Sequence, residues 1–135
     1  MNVALDSADR AAVESLEATL QLYFDGLHHS DTERLARAFH RQAIYVSATG
    51  GVLVHMTLAE YLPMVDARPS PASRGESRTD RVLSIEFAGP VTALARVGCS
   101  IGPKHFTDLL TLVHVEGRWQ IIAKVFHFDL EATER

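Results

Sequence analysis

The stretch FTDLLTLVHVEGRWQIIAKVFHF, residues 106–128, decides the architecture of this chain. Its two arms, Phe106 to Val115 and Arg118 to Phe128, are rich in β-branched and aromatic residues, and they meet at Glu116-Gly117, which suits a two-residue hairpin turn. Setting Val115 opposite Arg118 puts His114 opposite Trp119, Leu112 opposite Ile121, Leu110 opposite Ala123, Asp108 opposite Val125 and Phe106 opposite His127. Asp108 and His127 are then diagonal neighbours, about 7 Å apart at the backbone and within side-chain reach. An acid and a base share an otherwise apolar face. The other face sets Thr107, Leu109, Thr111 and Val113 against Phe126, Lys124, Ile122 and Gln120. Lys124 thus belongs to the outer surface or to a subunit contact. One bulge between the turn and Asp108 reverses every assignment beyond it.

Upstream, two long strands, Thr79 to Phe87 and Val91 to Ile101, hinge at Gly89-Pro90, and Gly102-Pro103 turns the chain into the hairpin. Near the N-terminus, Val13, Leu16, Leu20, Phe24 and Leu27 recur at helical spacing, with Tyr23 on the flank of the stripe and Ser7 or Asp6 as cap. A short second helix starts at Ser30 or Asp31 and runs through Phe39, burying Leu35 and Phe39. Ala43 to Ala48 reads as a brief strand, Thr49-Gly50-Gly51 turns it, and Val52 to His55 returns alongside. Thr57 and Glu60 form a capping box for a third helix, in which Pro63 predicts a kink or an unwinding before Arg68. Pro69, Pro71 and Gly75 build a loop with Arg68, Arg74 and Arg78 around it.

The 135 residues make one domain, residues 1–135, with 47% hydrophobic and 22% charged content, ordinary globular usage. A net charge of -4 with interspersed signs offers no basic stripe, so nucleic acid and anionic membranes are poor partners. No apolar run approaches the roughly 18 residues of a membrane span, which makes a cytoplasmic location the expectation. The single cysteine, Cys99, excludes an internal disulfide and any cysteine-rich zinc motif, and reads as a small buried hydrophobe. Seven histidines show no metal-binding spacing on a helix; His40, Asp108 and His127 make a ligand set only if all three converge, so no metal is expected. No phosphate loop or nucleophile elbow is present.

A single curved antiparallel sheet with three helices gathered on one side leaves a cone-shaped cavity between the first helix and the concave face. The chain resembles the nuclear transport factor two-like superfamily, in the branch of the putative lumazine-binding proteins and near the SnoaL-like polyketide cyclases. Tyr23-Phe24-Asp25-Gly26-Leu27, the run Leu35 to His40, Thr57 to Leu62, Arg68 to Ala72, Phe106-Thr107-Asp108 and Gly117 to His127 carry the resemblance. It implies a cystatin-like, cone-shaped α+β barrel enclosing a pocket. The family's name implies lumazine, a flat pterin-like heterocycle. The isomerase-like members use a tyrosine and carboxyls in an apolar cone; Tyr23 and Asp108 have counterparts here, and no second carboxyl aligns.

Asp108, costly to bury charged, must pair, bond or take up a proton, which suits a general base; it suits equally a tether to loop backbone donors. His127 could relay its proton, or be a hydrogen-bonded histidine ending the last strand. His40 could serve as acid, or interact with the carbonyls that end the second helix. Tyr23 offers a phenol to an oxyanion, or finds one buried partner. Trp119, Phe106, Leu110 and Met64 would line or fill the pocket. The expected function is small-molecule binding, with cofactor-free acid-base chemistry of isomerase, dehydratase or cyclase type on a small apolar carbonyl or aromatic compound. A non-catalytic binder and a structural dimer are the alternatives. In each case a homodimer is expected through the outer face, with Leu109, Val113, Ile122 and Phe126.

Overall fold

The structure is a computed structural model that describes residues 7–131. The first helix, α1 (Ser7–His29), turns Leu16, Leu20, Tyr23, Phe24 and Leu27 into the core. Tyr23, expected on the flank, is wholly buried. The cap at Asp6 or the Ser7 side chain lies outside the described residues. A close approach follows: a Cβ on Gly26 would meet the Leu35 side chain at 2.7 Å, so only glycine lets the second helix pack here. That helix, α2 (Thr32–Ala38), is capped by Asp31, which accepts from the Glu33 and Arg34 amides. It stops one residue short of the expected end, because Phe39 already has extended backbone.

The strand expected at Ala43 begins at that point, as β1 (Phe39–Ser47), and β2 (Val54–Thr57) returns against it. The capping box of Thr57 and Glu60 opens α3 (Leu58–Asp66). Pro63 is accommodated without an earlier break, and the helix ends one turn later, where the Ala67 N–H reaches the Pro63 carbonyl at 3.1 Å. Then β3 (Arg81–Phe87), β4 (Thr92–Ile101), β5 (Lys104–Val115) and β6 (Arg118–Leu130) form an antiparallel meander.

The six strands lie in the order β2-β1-β6-β5-β4-β3. One pairing departs from the antiparallel expectation: β1 runs parallel to β6, because the long excursion through α3 and β3 to β5 returns the last strand in the same direction. The helices cover the concave face, where Ala95, Val97, Leu110, Leu112 and Ile121 meet α1 in a core without solvent exposure at these strand positions. Each fully buried Leu or Ile contributes about 1.5–3 kcal/mol by leaving water. Among the described residues no helix is long and apolar enough to cross a membrane.

The β5–β6 hairpin keeps the expected register from Val115 opposite Arg118 to Leu112 opposite Ile121. There the ladder shifts: Thr111 faces Ala123, so Ile122 is an extra residue with no partner across the strand. Beyond it Leu110 faces Lys124, Asp108 faces Phe126, Thr107 faces His127 and Phe106 faces Phe128. Every side chain of β6 past the bulge is inverted relative to the unbulged register. His127 projects outward and Lys124 inward, the reverse of the expectation for both.

Candidate functional site

Asp108 sits in the middle of β5 on the concave face, with no solvent exposure. Its Oδ2 accepts a 2.5 Å hydrogen bond from the Tyr23 hydroxyl of α1, and its Oδ1 has no hydrogen-bond partner. The parallel register brings Tyr45 of β1 beside Lys124 of β6, one rung from Asp108. Lys124 is 5% exposed. Its Nζ lies 5.1 Å from the Tyr23 ring centroid, 5.2 Å from that of Phe126, and 5.4 Å from those of Tyr45 and Tyr61. Four π faces around one ammonium replace part of the hydration lost on burial. Tyr61, from α3, stacks on Tyr45 at 4.5 Å, and its buried hydroxyl also lacks a partner.

Burial, reinforced by the Asp108 carboxylate, holds the Tyr23 phenol well above its ordinary range. The Cys99 thiol, on β4 facing Phe106, is pushed up to about 12, first by burial and then by Asp108. Burial also raises the Tyr45 phenol, against the pull of Lys124. For Lys124 burial works against the charge, while Tyr61, Asp108, Tyr45 and Cys99 together outweigh it and raise the ammonium on balance. The interior holds the tyrosine-bound Asp108 carboxyl and, diagonally across the β5–β6 ladder, the Lys124 amine caged by aromatic rings.

The other expected residues are placed elsewhere. His127 is on the surface, bonding Thr49 Oγ1 and Asp129 Oδ1 at 3.0 Å each. It is not on the face of Asp108, because the Ile122 bulge turned it away. His40 is buried in β1, where its Nδ1 accepts from the Gln42 amide at 3.0 Å and its Nε2 stands 4.0 Å from Glu116. Glu116 is at the hairpin turn, about 25 Å along an extended strand from Asp108. The three do not converge, and among the described residues no group of histidine, cysteine and carboxylate side chains is placed to hold a metal ion. Trp119 packs at the turn end against Phe87 and His114. Met64 faces outward on α3 and is 37% exposed. Phe106 and Leu110 do flank Asp108 on the inner face, Phe106 against Phe126 and Phe128.

The cone is closed. A cavity of about 20 Å³ opens beside Cys99, walled also by Phe24, Leu27 and His28 of α1 and by Pro71. A shallow depression of about 400 Å³ lies on the outer face between Arg96, Thr107, Leu109 and His127. A third, of about 360 Å³, lies at Glu76, Gly102 and His105. None of the three has Asp108, Tyr23 or Lys124 in its walls.

Sequence reasoning missed Lys124, Tyr45 and Tyr61. The available signal was Ile121-Ile122, two large aliphatics in succession where a half-buried strand alternates. After that break, Lys124, Phe126 and Phe128 resume the alternation on the other phase.

The profile of the family described as "Putative lumazine-binding" matches residues 11–127. An aldolase, FrzH of Cladobotryum sp, is 22% identical over 116 residues, covering 84% of this chain and 89% of that protein. An NTF2-like protein of unknown function from Shewanella baltica superposes with a TM-score of 0.80 at 22% identity, covering 95% of this chain and 98% of the other. A protein titled putative ketosteroid isomerase, from Kribbella flavida, superposes with a TM-score of 0.55 at 20% identity, covering 90% and 82%.

Proposed function

Because the chain belongs to the putative lumazine-binding family of the nuclear transport factor two-like superfamily, whose fold binds ligands, we propose that it is a cofactor-free acid-base enzyme acting on a small carbonyl compound. One observation carries this reading: a fully buried carboxylate with one oxygen fixed by Tyr23 and the other unpartnered, next to a buried ammonium. Asp108 Oδ1 takes a proton from the carbon beside the carbonyl, and the electron pair moves onto the carbonyl oxygen. Lys124 and the Tyr61 hydroxyl supply donors to the resulting enolate, and Asp108 returns the proton at the same or a neighbouring carbon. Tyr23 orients the base. Enolate formation is the step shared by aldol and isomerase chemistry, in keeping with the names carried by the Cladobotryum and Kribbella proteins.

A second reading is a non-catalytic ligand binder or a structural dimer, and the complete burial of Asp108 and Tyr23 favours it. Exchange of the enolisable hydrogens of benzylacetone and benzylpyruvate for deuterium, followed by NMR, separates the two. Acceleration over buffer that disappears in Asp108→Asn supports catalysis. Exchange that survives this substitution unchanged removes Asp108 from the base role, and no acceleration at all favours the binder.

A further inference from the structure

The chain has two lysines, in opposite surroundings. Lys104 opens β5 and is exposed, with its Nζ 4.7 Å from the Phe128 ring centroid. Lys124 is buried on the concave face, and its Nζ has the rings of Tyr23, Phe126, Tyr45 and Tyr61 around it at 5.1 to 5.4 Å. Among the described residues this Nζ makes no hydrogen bond and has no carboxylate at ion-pair distance. A lysine held in that way is costly as architecture, because nothing but π faces compensates the lost water.

Asp108 and Lys124 are tied to each other through Tyr23. On the ladder Asp108 faces Phe126 and Leu110 faces Lys124, so carboxyl and amine are diagonal neighbours on one face, about 7–8 Å apart at the backbone. The Tyr23 hydroxyl bonds Asp108 Oδ2 at 2.5 Å, and the same ring lies 5.1 Å from Nζ. Burial is the largest influence on the lysine proton and works against the charge, although Tyr61, Asp108, Tyr45 and Cys99 together outweigh it. The Tyr45 phenol and the Cys99 thiol keep their own protons beyond the ordinary range, so they act on Lys124 only at alkaline pH. A desolvated lysine with no acid paired to it is the form in which this side chain attacks carbonyl carbon.

We infer that Lys124 is a covalent catalytic residue, whose Nζ condenses with an aldehyde or ketone to form an iminium. This rests on the acid-base reading above and deepens it, replacing the enolate by an enamine. The nitrogen lone pair forms the C–N bond, two nitrogen protons pass to the carbonyl oxygen, and that oxygen leaves as water. Ammonium and carbonyl thus become iminium and water with no change of charge. The Tyr61 hydroxyl, buried without a partner at the edge of the cage, is the donor for the departing oxygen. Asp108 Oδ1 then takes a proton from the adjacent carbon, and the electron pair moves onto nitrogen. Protonation of carbon and addition of water release the product and free the lysine. The reacting carbonyl is therefore that of an aldehyde or ketone, not of an ester or amide, which do not form iminium ions with an amine.

Trapping with cyanoborohydride tests this on the full chain, with acetone and benzylacetone as probes and peptide mass mapping as the readout. Folded protein is expected to gain one adduct, on Lys124 and not on the exposed Lys104, whereas protein unfolded in urea gains it on both alike. Lys124→Arg keeps a cation and its donors but cannot form an iminium, so it should lose the adduct and the deuterium exchange of benzylacetone, with circular dichroism verifying its fold. No adduct on Lys124 in folded protein, equal labelling of the two lysines there, or exchange preserved in folded Lys124→Arg would overturn the inference; exchange without an adduct would leave the enolate route standing. An adduct on Lys124 without exchange would instead keep the covalent lysine and sink the role of Asp108 as base.

Discussion

Asp108 stands directly opposite Phe126, not Val125, and this offset of a single residue determines the chemistry of the interior. Without the extra Ile122, the concave face would carry Asp108 beside His127, with Lys124 in solvent. With it, the carboxylate keeps company with an ammonium, three tyrosines and a phenylalanine, and the histidine goes to the surface. Bulges re-aim side chains at low cost to the ladder, and this one exchanges an imidazole for a lysine side chain.

The bond between Tyr23 and Asp108 is expected to be worth more than its parts. Tyr23→Phe leaves a fully buried carboxylate with neither oxygen partnered, at a cost of about 1–3 kcal/mol. The same change made on an Asp108→Leu background removes no partner and should cost much less. Urea denaturation of the four proteins measures the difference. Additive effects would mean that the two side chains do not depend on each other.

Lys124→Met should separate function from stability. The methionine matches the length of the lysine stem and fits among Tyr23, Tyr45, Tyr61 and Phe126, while removing a desolvated charge. Calorimetric unfolding is expected to show stability within about 1 kcal/mol of the parent or above it. Deuterium exchange should fall to the buffer rate. A large loss of stability would assign Lys124 to the architecture instead.

Most of the fold was legible because it depends on local rules. The capping box at Thr57, the cap at Asp31, the helical stripe of α1 and the Glu116-Gly117 turn are read from spacing and residue type, and all four stand as expected. Both turn residues take positive φ, +56° and +80°, as a tight hairpin requires. The site was less legible. Tyr23 and Asp108 were singled out as candidates, yet the direct bond between them spans two distant elements and has no local signature. Lys124 was misassigned because the alternation was carried unbroken through Ile121-Ile122, where the ladder shifts; β1, docked parallel on β6, shifts register as well, between Phe39 and Ile44. No pattern within β6 alone encodes that neighbour.

Alkaline pH should unfold the protein by a calculable route. The folded state holds the Cys99 proton up to about 12 against an ordinary value of 9.0, and holds the Tyr23 and Tyr45 phenols protonated beyond their usual range. The unfolded chain releases these protons first, so stability is complete below about pH 9 and declines as pH climbs toward 12. The raised Lys124 acts in the same direction, since its charged form is favoured by the fold. Urea midpoints measured across that range should fall, with a shallower decline in Cys99→Ala. A flat profile would contradict the burial of these groups.

The outer face remains a dimer surface in this proposal, with its membership corrected. Phe126 and Lys124 are turned inward, and the apolar residues left outside are Leu94, Leu109, Val113 and Val125, with Val125 42% exposed in the centre. They flank the depression lined by Arg96, Thr107 and His127, a shape that a second copy can fill by two-fold symmetry. Sedimentation is expected to show a dimer at micromolar concentration, converted to monomer by Val125→Glu, which places like charges against each other across the axis. A wild-type monomer at that concentration would remove the outer face from any role in assembly.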